Sequence, residues 1–399
     1  MIIRGAIIIR HMKAKNILRV TLTFFLVCVF VTTLSVVLRK DAGTLKKPAL
    51  SIKLTGGTTS RDIATTYGFE PRLLKKAFNL QEKSDFDKPL SALGIPSTKA
   101  EAKLRKIAAI RTEESSKNWR KILGKFALWL VSLVFAFILL RAGRITPKIR
   151  LAFIASAVLL FGIIFGPDPS PMGTVKDAIV LFGRERIIFP PRMIALAVFL
   201  ISVILANKFI CAWGCQFGTL QELIFRINRK ASDKSGIIRQ IKIPFRITNG
   251  IRIAFFTVFT IIAAGWSFDI IKPIDPFTIF SPLSLKTVGI AFIFAILAAS
   301  LFVYRPWCHM FCPFGLIGWI FEKISVNRIK VNYDTCVACE SCAKACPSNV
   351  MNAILKQRET IPDCFSCGTC IGVCPTKSIT FGKGKSSKPP EGKFPDKND

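Results

Sequence analysis

The chain alternates long apolar runs with polar connections. Six stretches, near residues 17–38, 124–141, 150–166, 193–210, 251–268 and 287–304, reach the roughly 17–25 apolar residues a helix needs to cross the hydrocarbon core of a membrane. The first is predicted to be a retained anchor and not a cleaved leader, because no small-x-small site follows it and Arg39, Lys40 and Asp41 come directly after. Met12, followed by Lys13 and Lys15, would also make a natural start. Residues 40–122 are polar enough to fold outside the membrane. A helical pattern runs there from Ser60 to Leu80, with Ile63, Ala64, Leu73, Leu74 and Ala77 as apolar positions and Gly68 at a turn, similar to a helix-turn-helix. A second helix is predicted to open at Thr98, with Glu101 three residues on completing a capping box. Beyond Lys383 the chain is rich in Lys, Pro and Gly and reads as a disordered tail.

Composition sharpens this picture. The chain has 399 residues, 51% of them hydrophobic, which is high for a soluble protein. A formal charge of +33 would point to nucleic acid in a soluble chain. In a membrane protein, basic residues instead crowd cytoplasmic loops and meet anionic lipid. Arg4, Arg10, Lys13, Lys15 and Arg19 place the N-terminus inside. Arg141, Arg144, Lys148 and Arg150 mark one short inner loop; Arg226, Arg229, Lys230, Lys234, Arg239, Lys242 and Arg246 mark another. The loops at 167–192 and 269–286, with Asp168, Asp177, Asp269 and Asp275, then fall outside, as does the 40–122 domain. An external position argues against DNA reading by that domain and favours a docking or spacer role. Six crossings return everything after Trp307 to the cytoplasm.

Thirteen cysteines bring in the chemistry. Eight form Cys336-x2-Cys339-x2-Cys342-x3-Cys346-Pro347 and Cys364-x2-Cys367-x2-Cys370-x3-Cys374-Pro375. Two-residue gaps let three thiolates of one loop reach three corners of an iron cube, while the fourth ligates the other cluster. Cys336, Cys339, Cys342 and Cys374 are thus expected to hold one 4Fe-4S cluster, and Cys364, Cys367, Cys370 and Cys346 the second. A zinc site is the competing reading, but it needs only four sulfurs. Thiolates kept reduced belong in the cytoplasm, in agreement with the charge pattern. The segment 329–382 resembles the bacterial two-cluster ferredoxin domain, with small residues Ala338, Ser341, Gly368 and Gly372 around the cubes. The resemblance implies an electron wire, not a catalyst, with clusters close enough for rapid tunnelling.

Two more pairs stand after the fourth and sixth apolar runs: Cys211-Ala-Trp-Gly-Cys215-Gln-Phe-Gly and Cys308-His-Met-Phe-Cys312-Pro-Phe-Gly. If each helix continues, i and i+4 spacing puts both sulfurs of a pair on one face at the cytoplasmic membrane edge. Matching outer turns, Asp168-Pro169-Ser170-Pro171 and Asp275-Pro276 through Ser281-Pro282, make this an internal duplication of a helical hairpin. The four thiols could share one metal centre or a third cluster, or form redox-active dithiols; spacing alone leaves this open. Lone Cys28 reads as a small apolar filler.

Two C-x3-C motifs on a four-helix membrane unit ending in a two-cluster ferredoxin resemble the NapH-type membrane quinol dehydrogenases, over residues 124–382. The regulators of nitrous oxide reductase and the iron-sulfur accessory proteins of cytochrome oxidase assembly share this core. Gln216 departs from the motif by standing where a proline is expected, and no flavin-attachment domain or further domain follows the ferredoxin. With only His11 and His309, a pair of axial histidines for haem cannot be assembled within the spans, and no nucleotide-binding loop is present.

The expected fold is an α-helical membrane protein of about six transmembrane helices with a small C-terminal α+β two-cluster ferredoxin domain. Its parts are an anchor (1–39), an external helical domain (40–122), a duplicated-hairpin membrane domain (123–328), the ferredoxin (329–382) and the tail (383–399). It is expected in the cell's inner membrane with both termini cytoplasmic, meeting lipid and quinone and no nucleic acid. The expected function is electron transfer between the quinone pool and a redox partner, as a quinol dehydrogenase component. The alternative is an accessory protein that reduces or matures a metal centre of a respiratory enzyme. Quinone is expected at the cytoplasmic edge near the four paired cysteines, in preference to the outer turns with Asp168 and Asp275.

Overall fold

The computed structural model describes residues 2–38, 54–115, 118–357 and 363–394, apart from 56, 231, 349, 385 and 386. Helix α1 (Ile2–Val37) carries the first apolar run. Helices α2 (Ser60–Tyr67), α3 (Pro71–Phe78) and α4 (Ser97–Ser115) build a small unit with its own core around Ile63, Leu74, Phe78 and Leu104. Gly68 ends α2 at φ 66°, a left-handed position that glycine adopts without strain, so the turn falls where the sequence placed it. The capping box lies elsewhere. Thr59 and Asp62 form it at the start of α2. Thr98 lies inside α4, and the Glu101 carboxylate accepts instead from the Leu54 N–H at 2.8 Å. That bond ties the start of the unit to its last helix, and because α4 already begins at Ser97, Glu101 lies too far along it to cap its first turn.

Helices α5 (Trp119–Arg141) and α6 (Pro147–Ala157), the latter continued by a π-helical stretch Val158–Ile164, are packed antiparallel. The wide turn accommodates Gly162, where an added Cβ would sit 2.4 Å from the Phe280 ring. Helix α7 (Pro171–Glu185) and helix α8 (Pro190–Ala206) follow. Then come α9 (Phe209–Trp213), α10 (Gln216–Ile227), α11 (Phe245–Trp266), α12 (Thr287–Ala299), α13 (Pro306–Met310) and α14 (Pro313–Glu322). Among the described residues, four helical stretches are long and apolar enough to cross a membrane: Lys15–Val37, Trp119–Arg141, Pro147–Ile164 and Phe245–Trp266. Leu123, Leu130, Val131 and Val134 on α5 are half or more exposed, an apolar belt of the kind a membrane-crossing helix presents to lipid.

The fourth and sixth expected spans are shorter than the apolar runs that suggested them. Helix α8 has 17 residues and α12 only 13. Asn207, at φ 57° and ψ −152°, stops α8 before Lys208; α12 stops at Ala299 with Ser300 as its C-cap, and Arg305, at φ 48°, precedes Pro306, the first residue of α13. The remaining apolar residues of each run form the re-entrant segments described below.

The C-terminal part pairs β1 (Asn327–Val331) with β2 (Ile379–Lys383) antiparallel, Ile329 opposite Phe381. Between them lie the short helices α15 (Ser341–Ala345), α16 (Val350–Lys356) and α17 (Thr369–Gly372). Within the segment expected to be a disordered tail, residues 387–394 make contacts with the ferredoxin. Phe394 is buried against Tyr333, and the Ser387 carbonyl accepts from Gln357 at 2.6 Å. One large aromatic in a Lys-, Pro- and Gly-rich segment suffices to dock it. Residues 395–399 lie outside the described residues.

Candidate iron-sulfur and cysteine sites

The eight ferredoxin cysteines surround two small cavities, and the chain assigns four to each. Cys346, Cys364, Cys367 and Cys370 line one. Cys336, Cys339, Cys342 and Cys374 line the other. This is the crossed arrangement: each run's fourth sulfur, one residue before a proline, reaches the neighbouring cavity. Left-handed residues Ala338, Glu340, Ser366 and Gly368 curl the loops so that successive cysteines face inward. Among the described residues no three Cys, His, Asp or Glu side chains converge as closely as one shared metal ion requires. Sulfurs spread around a cavity suit a cube with an iron at each corner better than tetrahedral zinc. Burial pushes the Cys342 thiol up to about 12 and raises Cys364 and Cys370 as well. Iron binding must therefore displace tightly held protons. Cys339 is exposed and its thiol is lowered by hydrogen bonds from Ser341.

The four paired cysteines come together as well, but not on continuous helices at the membrane edge. Helix α9 ends at Trp213, Gly214 follows, and Cys215 is the N-cap of α10; Cys312 is likewise the N-cap of α14. Each segment dips into the bundle and returns. Trp129 Nε1, near the middle of α5, donates to the Gly214 carbonyl at 2.8 Å. Helical rise puts that point about 18 Å from the Arg141 end of α5. Gln216 Nε2 donates to the Pro167 carbonyl at 2.7 Å, at the opposite end from the ferredoxin. All four thiols are buried, and Cys211 lies within electrostatic reach of Cys215, Cys308 and Cys312. Gln221 Nε2 donates to Cys308 Sγ at 3.3 Å.

Sequence reasoning missed what encloses this quartet. Arg150, Lys208, Arg252 and Arg305 are all fully buried. Arg305, three residues before Cys308, donates to the Cys211 carbonyl at 2.5 Å and to Glu222 at 2.6 Å. Lys208, three residues before Cys211, donates to the Gly315 carbonyl at 3.0 Å and pairs with Asp363. Each half thus sends a cation across to hold the other half's motif. Arg150 binds Glu222 at 2.7 Å and the Ala212 carbonyl at 2.9 Å; Arg252 binds Asp363 at 2.8 Å. Gly218 and Gly315 leave room for these carbonyls, since a Cβ there would stand 2.9 Å from Cys211 O and 2.6 Å from Cys308 O. Arg150 and Arg305 share Glu222, and Lys208 and Arg252 share Asp363, so the quartet is ringed by buried ion pairs. Trp307 Nε1 and Ser366 Oγ, each beside a cysteine, are buried without a hydrogen-bond partner. Such donors fit the sulfides of a cube.

The ferredoxin is docked on the quartet. Its Cys364–Cys370 loop inserts Phe365 between Lys208 and Arg305, 4.6 and 5.2 Å from the ring centre. The Ser366 carbonyl accepts from Trp213 Nε1 at 3.1 Å. Residues counted as loop charges do the holding: Arg226 to Thr369 at 3.2 Å, Arg229 to the Ala345 carbonyl at 2.8 Å, and Lys242 to the Ala343 carbonyl at 3.2 Å. Cys28, on α1, is half-buried with no such company.

This fold, with its eight-cysteine ferredoxin seated on an apolar helical bundle, defines a ferredoxin-type 4Fe-4S membrane protein. A 4Fe-4S dicluster domain family matches residues 328–375, and a 4Fe-4S binding domain family matches twice, at 188–234 and 285–332. The chain is similar to ferredoxin-type NapH and to the regulatory protein NosR. YccM of Escherichia coli (strain K12) is 29% identical over 212 residues, covering 51% of this chain and 59% of that protein. The ferredoxin-type protein NapH of Haemophilus influenzae is 26% identical over 221 residues, covering 52% of this chain and 69% of NapH. NosR of Pseudomonas aeruginosa is 22% identical over 231 residues, covering 52% of this chain but 30% of NosR. The match to YccM thus spans less than two thirds of that protein. No solved structure matches the chain.

Proposed function

We propose that this protein is a multi-pass inner-membrane electron carrier that exchanges electrons between the quinone pool and a redox partner. The observation that carries the reading is buried Phe365, next to Cys364, which sits between Lys208 and Arg305, the two cations that hold the quartet's motifs. Bound 4Fe-4S clusters supply one-electron storage there. Cys346, Cys364, Cys367 and Cys370 would hold the cluster nearer the membrane, and Cys336, Cys339, Cys342 and Cys374 the outer one. Cys211, Cys215, Cys308 and Cys312 would hold a third. Exposed Cys339, beside exposed Val337, marks where a soluble partner approaches. The docking cations Arg226, Arg229 and Lys242 support a cytoplasmic ferredoxin, with both chain termini on that side.

Two measurements test this. Anaerobically purified protein is expected to hold about twelve irons and as many acid-labile sulfides; about eight would remove the third cluster. Reduced quinol added to membranes is expected to bleach cluster absorbance. Reduction by a cytoplasmic donor with none by quinol would favour an accessory protein that reduces a metal centre.

A further inference from the structure

At the end of the bundle opposite the ferredoxin, two cavities adjoin. One, of about 430 Å³, is a cleft between α5 and α8 walled by Trp119, Leu123, Phe126, Ile194 and Val198. The outer parts of Leu123, Ile194 and Val198 are exposed to the lipid belt, so the cleft opens sideways into the membrane. Its lining at the outer turns includes Asp168, which is exposed, and the partly buried Asp177 and Arg192. The second cavity, of about 650 Å³, shares those three residues and runs on past Lys176 to Asp269 and Asp275.

The polar cavity is built to hold protons. Lys176 lies 3.2 Å from Asp177, 3.4 Å from Asp269 and 3.1 Å from Asp275. Lys176 and Arg192 together pair with Asp177, Asp269 and Asp275, with Arg184 and Lys272 also in the lining, and burial raises the Asp275 carboxyl despite its lysine partner. Arg192 bridges Asp177 at 3.4 Å and Glu113 of α4 at 3.1 Å, which closes the cavity beneath the external unit.

The cleft's floor also touches the cysteine quartet. The turn Gly166–Pro169 is held by Lys125, which donates to the Gly166 carbonyl at 2.7 Å and the Pro169 carbonyl at 3.0 Å. Gln216, adjacent to Cys215, donates to the carbonyl of Pro167, adjacent to Asp168. The residue that departs from the expected proline is thus the bridge between the quartet and the cleft. By contrast, the four thiols themselves are 7–8% exposed, too enclosed for a ring to reach from the ferredoxin side.

We propose that the α5–α8 cleft binds a lipid-soluble quinol, its apolar tail toward Leu123 and Val198 and its ring against Asp168, Asp177 and Arg192. A phospholipid would share the apolar walls, but its anionic phosphate would meet two carboxylates against one guanidinium already bonded to acids. On oxidation both quinol O–H bonds break. The two protons pass to the Asp168 and Asp177 carboxylates and on to the Asp275 carboxylate beside the Lys176 ammonium; the two electrons pass to oxidised 4Fe-4S clusters, one each, through the quartet. This rests on the quinol reading above, and places quinone at the outer turns and not at the cytoplasmic edge.

The test uses the full chain in lipid nanodiscs. A photoreactive quinone is expected to label peptides of α5 and α8. Val198→Trp and Ile194→Trp, which fill the cleft from its lipid side, are expected to slow quinol-driven cluster reduction at least tenfold, with dithionite reduction and iron content unchanged. Ile253→Trp on α11, equally lipid-facing, is the control and is expected to match the parent. Asp177→Asn is expected to retain labelling while slowing reduction. Labelling confined to α10 or α14, label displaced by excess phospholipid but not by quinone, or both cleft variants reduced at the parental rate would each overturn the site. If the parent protein is reduced by dithionite but never by quinol, the broader quinol reading fails instead.

Discussion

At the scale of single residues, Glu222 is the most consequential side chain outside the cysteines. Its carboxylate accepts from Arg150 at 2.7 Å, Arg305 at 2.6 Å, Arg226 at 3.0 Å and the Tyr304 hydroxyl at 2.8 Å, all in the interior. Removing one partner of a buried ionic network strands the others' charge, at a cost of about 3–5 kcal/mol. Glu222→Ala is expected to lower the thermal midpoint of the detergent-solubilised protein sharply and to reduce its yield; an unchanged melt would show that water reaches the guanidiniums. None of these partnerships was legible beforehand. Arg150 and Arg226 entered the sequence reading as loop charges that orient the chain, because charge counting cannot tell a solvated arginine from one folded back onto a buried glutamate. Lys208 and Arg305, which interrupt the junction between apolar run and cysteine pair, were the available signal.

At the scale of elements, the ferredoxin runs were fully readable, since x2 gaps constrain a loop whatever surrounds it. The paired motifs were readable as pairs and not as shapes. Spacing of i and i+4 fits a helix, but Gly214 and Phe311 end α9 and α13 before the second cysteine of each pair, and apolar content alone does not reveal a helix that turns back. Packing between elements was invisible for the same reason. Gly368 illustrates it: at φ 81° it lets the Cys367–Cys370 loop lie on α5, and a Cβ would stand 2.9 Å from Leu140 and 3.2 Å from Ile145. A non-glycine residue in that conformation costs about 1–2 kcal/mol before any clash. Gly368→Ala is therefore expected to loosen the inner cluster, read as loss of about four irons and of one of the two ferredoxin signals in electron paramagnetic resonance. Full retention of both signals would mean that the loop shifts on α5 without strain.

For the whole molecule, the charge pattern and the docked ferredoxin agree on one sidedness, and the external unit supplies an independent check. Lys99 on α4 is exposed and distant in sequence from every cysteine. Lys99→Cys is expected to react with a membrane-impermeant maleimide added to intact cells, against a parent that does not; labelling only after lysis would invert the topology and the proposed proton exit with it. The overall class was legible because apolar length and cysteine spacing are both properties of the chain itself. The site at the far end was not, because Asp168, Lys176, Asp177, Arg192 and Asp275 come from separate loops that only the fold assembles.

The reciprocal reach of Lys208 and Arg305 has a consequence for how such a protein comes into being. Since each half's cation closes the other half's loop, a ribosome that has released only the first hairpin has made two cysteines with no lid. The third cluster proposed for the quartet would then be loaded only after the last hairpin and, through Asp363, the ferredoxin are in place. Its assembly would be the final event, a guard against loading iron into an unfinished chain.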